Sequence, residues 1–176
     1  LCIYLTIIIW TKISGLKRVR FLTANPKDFT FELINLYGNG NDNISNHLHL
    51  PLQSGSNSIL KKMRRGYTID QYRDIVLNLR KRRPNISITT DLIVGFPGET
   101  TDDFLQTLSC INEFSFDSSF CFIYSSRENT LSKKYLDTVE FSVKLKRLNV
   151  LQNALVKSVQ KNISSLIDTV KIILIY

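Results

Sequence analysis

The sequence predicts an α/β fold, a parallel sheet or barrel assembled from β/α units, and three observations carry that prediction. Apolar runs rich in β-branched residues recur with centres roughly 30 to 40 residues apart. That is the pitch of a strand plus a crossover helix. Between the runs lie segments with apolar residues at three- and four-residue steps, introduced by helix-capping residues. Polar and glycine residues gather where the runs end, the place where barrels of this kind carry function.

Taken in order, "RVRFLT" (18–23) reads as the first strand and "HLHLPL" (47–52) as the second. "ISITTDLIVG" (86–95) is the third and "SSFCFIYS" (118–125) the fourth. "YGNGNDNISN" (37–46) is a polar loop between the first two. Thr68 and Gln71 form a capping box ahead of Ile69, Tyr72, Ile75, Val76 and Leu79, which share one helix face. Pro84 stops that helix. Thr100 caps the next, whose inner face is Phe104, Leu108 and Ile111. From about Val139 to Leu166 the pattern is helical again, with Phe141, Leu145, Leu148, Leu155, Val159, Ile163 and Leu166 as its apolar stripe. The ending "TVKIILIY" reads as the first strand of a further unit. The expected organisation is therefore one core over 1–167 and the start of a second domain over 168–176.

The bulk properties suit a folded domain with one local anomaly. A chain of 176 residues with 43% apolar content is long enough to bury a core. The net charge is +8, and nine Lys or Arg against two acids put +7 of it between Lys61 and Arg83. Such a segment is either a solvated helix face or a surface for a polyanion such as nucleic acid. Cys2, Cys110 and Cys121 are too few and too scattered for a disulfide scaffold or a metal knuckle, which suits a reducing cytoplasm. The apolar opening "LCIYLTIIIW" falls well short of the roughly 20 residues that cross a bilayer, and lacks the flanks of a signal peptide. The chain opens on Leu1 and not on Met, so it is read as part of a longer protein.

The strand exits supply the candidate site. The second run leads into Gln53, Ser54 and Gly55. The third delivers Asp91 and then Gly95-Phe96-Pro97-Gly98-Glu99. The fourth delivers Tyr124, Ser125, Ser126 and Arg127. Their convergence predicts a shared ligand cavity into which Gln53, Asp91 and Arg127 face. His47 and His49 stand two apart on a strand and so share a face, as pocket lining or as a metal pair lacking a visible third ligand. No Ser/His/Asp triad, phosphate loop or glycine fingerprint is present.

Two of these stretches, "HLHLPLQSGSNSILKKMRRGYT" and "TTDLIVGFPGETTDDF", together resemble the radical S-adenosylmethionine (SAM) methylthiotransferases, on the tRNA-modifying side of that family. "GLKRVRFLTANPKDF" and "FIYSSRENT" extend the resemblance over nearly the whole chain. It implies a partial, TIM-like (β/α) barrel of the radical SAM type, with strands three to six on this chain and a TRAM-like RNA-binding β-barrel beginning at its end. It implies two cofactors, SAM and 4Fe-4S clusters. Reductive cleavage of SAM would yield a deoxyadenosyl radical that abstracts hydrogen from carbon 2 of an isopentenylated adenosine beside the tRNA anticodon, where a methylthio group is then installed. The chemistry of such enzymes belongs to the cofactors, and the protein positions them. The implied partners are tRNA and a reductant such as flavodoxin or ferredoxin.

By the same resemblance, Gln53, Arg65 and Asp91 contact SAM, and Gly95 and Phe96 form a shelf for its adenine. Ser54, Ser125 and Arg127 complete the expected cofactor set, and Lys61, Lys62 and Arg64 are the expected RNA contacts. The pattern departs from the family in two places. The Cys-x3-Cys-x2-Cys loop that holds the cluster is expected before residue 1, so this chain alone is expected to bind no cluster and to lack activity. The usual Arg-Pro-Gly-Thr is here Arg127-Glu128-Asn129-Thr130. The alternatives are a ribosomal-protein methylthiotransferase, a porphyrinogen-oxidising radical enzyme, and an inactive remnant with residual RNA binding.

Overall fold

The computed structural model describes residues 7, 9–20, 22, 24–38, 40–41, 43–126, 135–164 and 167. A 3-10 turn over Pro26–Asp28 is capped by Asn25, whose side chain accepts from the Lys27 N–H. It precedes α1 (Phe31–Leu36), β1 (His47–His49), α2 (Asn57–Lys62) and α3 (Ile69–Arg82). Then come β2 (Ser87–Val94), α4 (Thr101–Phe114), β3 (Ser118–Ile123) and α5 (Phe141–Ser164). The three strands form one parallel sheet in the order β1-β2-β3. The expected α/β class is observed, as a three-stranded parallel sheet among the described residues.

The middle strand explains the two sides of that sheet. Along β2, Ile88, Thr90, Leu92 and Val94 are buried, and Ser87, Thr89, Asp91 and Ile93 are half-buried on the other face. The buried side belongs to one core with Tyr72 and Leu79 of α3, Ile111 of α4, Phe116, and Leu151 of α5. The expected capping box of Thr68 with Gln71 opens α3, and the expected Thr100 cap opens α4, where Asp103 completes a second box. All five apolar positions expected inside α3 are buried, and that helix stops two residues before Pro84.

Three expectations need correction. The second strand was expected over 47–52, but the ladder holds only through His49. Pro51 has no N–H to give, and side chains take over the pairing. Thr90 Oγ1 accepts from the Leu52 N–H at 2.8 Å and donates to the Leu50 carbonyl at 3.0 Å. The Tyr72 hydroxyl donates to the Leu50 carbonyl and Tyr67 to those of Pro51 and Leu52. Of the first strand, expected over 18–23, the described residues show one parallel bridge, from Val19 to Ile44; residues 21 and 23 lie outside them. The long helix α5 keeps only part of the expected stripe: Leu155 is buried and Leu148 packs against the core, but the inner face is otherwise different. Lys144, Arg147, Leu151 and Leu155 face inward, while Phe141 is 69% exposed and Leu145 44%. Two charged side chains hold inner positions because each has a partner, the buried Glu99 for Arg147 and Asp137, just ahead of the helix, for Lys144. The expected strand over 168–176 lies outside the described residues.

Candidate cofactor-binding site

The site is built where β1 and β2 end. Gln53 follows the β1 exit with φ 67°, in the left-handed region that few non-glycine residues enter. Its N–H donates to the Asp91 carbonyl and its own carbonyl accepts from the Ile93 N–H, both at 2.8 Å. Gln53 is thereby clamped beside Asp91. Arg64 has φ 56° where α2 ends, and the Arg65 N–H closes on the Leu60 carbonyl at 3.0 Å. A left-handed residue at a helix end is normally Gly or Asn. Among the described residues only Gln53, Arg64 and Ser115 are non-glycines with positive φ. Two of the three flank this site, where such strain tends to be retained for function.

The turn redirected by Arg64 sends Arg65 into a half-buried position, where its Nε is buried and has no hydrogen-bond partner. A buried guanidinium nitrogen without an acceptor is costly, and a carboxylate is the group its planar fork suits. Asp91 lies on the half-buried face of β2, with His49 Nε2 3.4 Å from its Oδ2. The residues present thus offer a cation for an amino-acid carboxylate and an acceptor for hydroxyl or amino donors, which fits SAM. They do not fit an iron–sulfur cluster. Among the described residues no group of three or more His, Cys, Asp or Glu could hold a metal. Burial pushes the Cys110 thiol up to about 12 and raises that of Cys121, which disfavours the thiolates that clusters need.

The other expected site residues fall differently. Ser54 is fully buried, and its hydroxyl pairs with Thr107 Oγ1 at 3.3 Å and accepts from the Ser56 N–H. It braces the loop against α4. Gly55 is needed for the same packing: a Cβ there would stand 2.5 Å from Thr107 Cα. Gly95 has φ 71°, and a Cβ on it would collide with the Lys144 side chain. Phe96 is buried against the rings of Tyr124 and Tyr135, at 4.9 and 6.1 Å. A ligand at this turn would therefore meet backbone and not the Phe96 ring. Ser125 is exposed, and Arg127 lies outside the described residues.

Glu99 was not foreseen as more than part of the turn. Its carboxylate Oε2 accepts from the Gly95 N–H at 2.8 Å and from Arg147 Nη1 at 2.6 Å, and Arg147 also donates to the Glu99 carbonyl. Burial pushes the Glu99 carboxyl upward, opposed by the Gly95 N–H and by Arg147. Lys144 pairs with Asp137 at 2.5 Å and lies over the Tyr124 ring. Helix α5 thus pins the turn that follows Asp91.

The basic segment divides in two. Lys61, Lys62 and Arg64 are exposed beside the site, and Lys62 Nζ donates to the Gly98 carbonyl at 3.1 Å. Arg80 donates to the carbonyls of Phe114 and Ser115. Arg83 donates to those of Ile44 and Asn41, which pins the polar loop. Arg82 and Arg83 also lie over the rings of Phe31 and Tyr37. No helix among the described residues is long and apolar enough to cross a membrane.

These features sit within a known class. The model of the radical SAM superfamily matches residues 5–111, and the chain belongs to that superfamily. Among similar proteins is the tRNA-2-methylthio-N(6)-dimethylallyladenosine synthase of Ruthia magnifica subsp. Calyptogena magnifica, 44% identical over 97% of this chain and 38% of its own length. The protein of that name from Lawsonia intracellularis is 51% identical over 80% of this chain and 30% of its own. The one from Nitrosomonas eutropha is 44% identical over 93% and 37%. The chain spans between 30% and 38% of the length of these relatives.

Proposed function

We propose that this chain is the SAM-binding portion of a tRNA methylthiotransferase that acts at carbon 2 of N6-isopentenyladenosine next to the anticodon. The observation that carries the reading is the 44–51% identity to enzymes of that name, spread over 80–97% of the chain. The open sheet is read as part of the superfamily's partial barrel, with the remaining strands supplied by chain outside the described residues. Bound SAM, with a 4Fe-4S cluster, would supply the radical chemistry. The residues of this chain hold and orient. Arg65 receives the amino-acid carboxylate, Asp91 accepts from the ribose or amino group, and Gln53 donates or accepts beside it. The Gly95–Glu99 turn presents backbone to the adenine. Lys61, Lys62 and Arg64 meet tRNA phosphates at the rim. The setting is the cytoplasm, with a reductant protein as electron source.

The test is genetic and chemical. A full-length gene carrying this sequence is expressed in a host that makes N6-isopentenyladenosine but lacks the methylthiolating enzyme, and tRNA nucleosides are weighed by mass spectrometry. The methylthio derivative is expected. Its absence, with the protein expressed and loaded with cluster, would overturn the assignment.

A further inference from the structure

Asp91 does not stand alone on its face of the sheet. Strand register sets His47 opposite Ser87 and His49 opposite Thr89, so these four share a face with Asp91, two residues further along β2. The contacts run in a line. His49 Nε2 is 3.4 Å from Asp91 Oδ2, and His49 Nδ1 is 3.0 Å from Thr89 Oγ1. Thr89 Oγ1 is in turn 3.2 Å from His47 Nε2. His47 Nδ1 is buried without a partner.

Proton counting fixes the direction of this chain. Burial, with Arg20 and His49 nearby, lowers the His47 pKa, so His47 is neutral and carries one ring proton. Thr89 has one hydroxyl proton. Were that proton given to His47 Nε2, His49 Nδ1 would have to donate to Thr89. A neutral His49 would then set a lone pair against the Asp91 carboxylate. The opposite order leaves every contact a donor facing an acceptor: His47 Nε2–H to Thr89, Thr89 O–H to His49 Nδ1, His49 Nε2–H to Asp91. A protonated His49 would also direct Nε2–H at Asp91. Each arrangement without a clash puts an N–H on the carboxylate, and the neutral one leaves His47 Nδ1 as an acceptor.

We propose that His49 is a positioning residue: through Nε2–H it holds the Asp91 carboxylate in one orientation, leaving Oδ1 free for the hydroxyl donors of the adenosyl cofactor, with Thr89 and His47 setting its tautomer. This rests on the reading of Asp91 as a SAM contact. A mobile carboxylate loses rotamer freedom on binding, and one already held loses less. The role differs from that of Asp91, because His49 acts only through it.

Equilibrium SAM binding to the full-length holoprotein tests this, with a thermal melt for each variant. Asn at 49 can reach Thr89 but falls short of Asp91, whereas Gln places its amide near the Nε2 position. His49→Asn is expected to weaken binding about tenfold, the effect of losing one polar contact to a charged group, and His49→Gln to restore it to within about threefold. Asp91→Asn is expected to weaken binding by about tenfold itself. Adding His49→Asn to Asp91→Asn is expected to cost less than about twofold more, because the group it serves is gone. Losses that multiply, or native affinity in His49→Asn, would overturn the role of His49 while leaving the site in place. Native affinity in Asp91→Asn would overturn the site itself. If His49→Asn does not fold, Thr89→Val carries the test. It keeps the strand and removes the hydroxyl, with a loss of about threefold expected, and native affinity would refute the proposal.

Discussion

Replacing Arg147 by Ala would strand a buried carboxylate. The Glu99 side chain is fully buried and that of Arg147 only 10% exposed, with 2.6 Å between Nη1 and Oε2. Glu99 Oε1 already has no partner, so Oε2 would keep only the Gly95 N–H. Breaking a buried pair from one side typically costs about 3–5 kcal/mol. Arg147 also lies 5.6 Å over the Phe104 ring and donates to the Glu99 carbonyl. Water can follow the truncated side chain inward, which favours the lower end, about 3 kcal/mol. For a chain of this size that lowers Tm by about 6–12 °C. The pH dependence has a definite sign. Without Arg147 the folded-state pKa of Glu99 rises further above its unfolded value near 4.5. As pH falls towards that value, the native state takes up a proton that the unfolded state does not hold. Stability relative to the native protein therefore recovers on acidification, and the deficit is largest at neutral pH and above. Thermal melts of Arg147→Ala, and of Glu99→Gln with Arg147→Met, measured from pH 5 to 8, provide the assay. The double variant should come within about 1 kcal/mol of the native protein. A loss below about 1 kcal/mol in Arg147→Ala, or a deficit that grows on acidification, would refute the reasoning.

Arg65→Met should weaken SAM binding about 10- to 100-fold with little change in Tm, because its buried Nε has no protein partner to lose; equal affinity by calorimetry would remove it from the site. Lys61→Ala with Lys62→Ala should weaken tRNA binding and flatten its salt dependence, by about one unit of slope for each phosphate no longer neutralised. Arg82→Ala with Arg83→Ala should lower Tm instead, since Arg83 holds the carbonyls of Ile44 and Asn41; a salt titration beside a melt separates the two. Gly55→Ala should cost about 3 kcal/mol or more, because its Cβ meets backbone of α4, whereas at Gly98 it meets only the flexible end of Lys62 and strain of about 1–2 kcal/mol. Urea unfolding of both variants checks the order.

What was legible in the sequence follows from where each signal lies. The capping box at Thr68, the cap at Thr100 and the inner face of α3 involve residues within a few turns of each other, and they read correctly. So did β2, whose alternation is local. The early end of β1 was hidden because Pro51 is compensated by Thr90, Tyr67 and Tyr72 from other elements. Only part of the buried stripe of α5 was legible, Leu148 and Leu155, because apolar periodicity cannot show that Arg147 meets Glu99, 48 residues away. Asp91 stood out at a strand end, but its pairing with His49 depends on register between strands. Gly55 was visible as a glycine, and its reason, close packing on Thr107 52 residues on, was not.

The division of the basic segment changes what its charge means. Arg80, Arg82 and Arg83 contact backbone carbonyls, aromatic rings, or both, so their charges hold the far end of α3 to its neighbours. The exposed charges beside the turn that follows Asp91 are Lys61, Lys62 and Arg64, on one short stretch before Arg65. Lys62 has a second task, since its ammonium caps the Gly98 carbonyl in the turn that follows Asp91. On the proposed reading a phosphate drawn to Lys62 competes with that carbonyl. The hydrogen bond is exposed, so giving it up costs the modest, solvent-screened amount, about 1 kcal/mol. Binding a phosphate offsets that cost through counterion release. On that reading RNA docking and the cofactor turn would share one side chain, without the turn's conformation depending on it. The turn keeps its shape without Lys62, because Glu99 still accepts from Gly95 and is still held by Arg147 from α5.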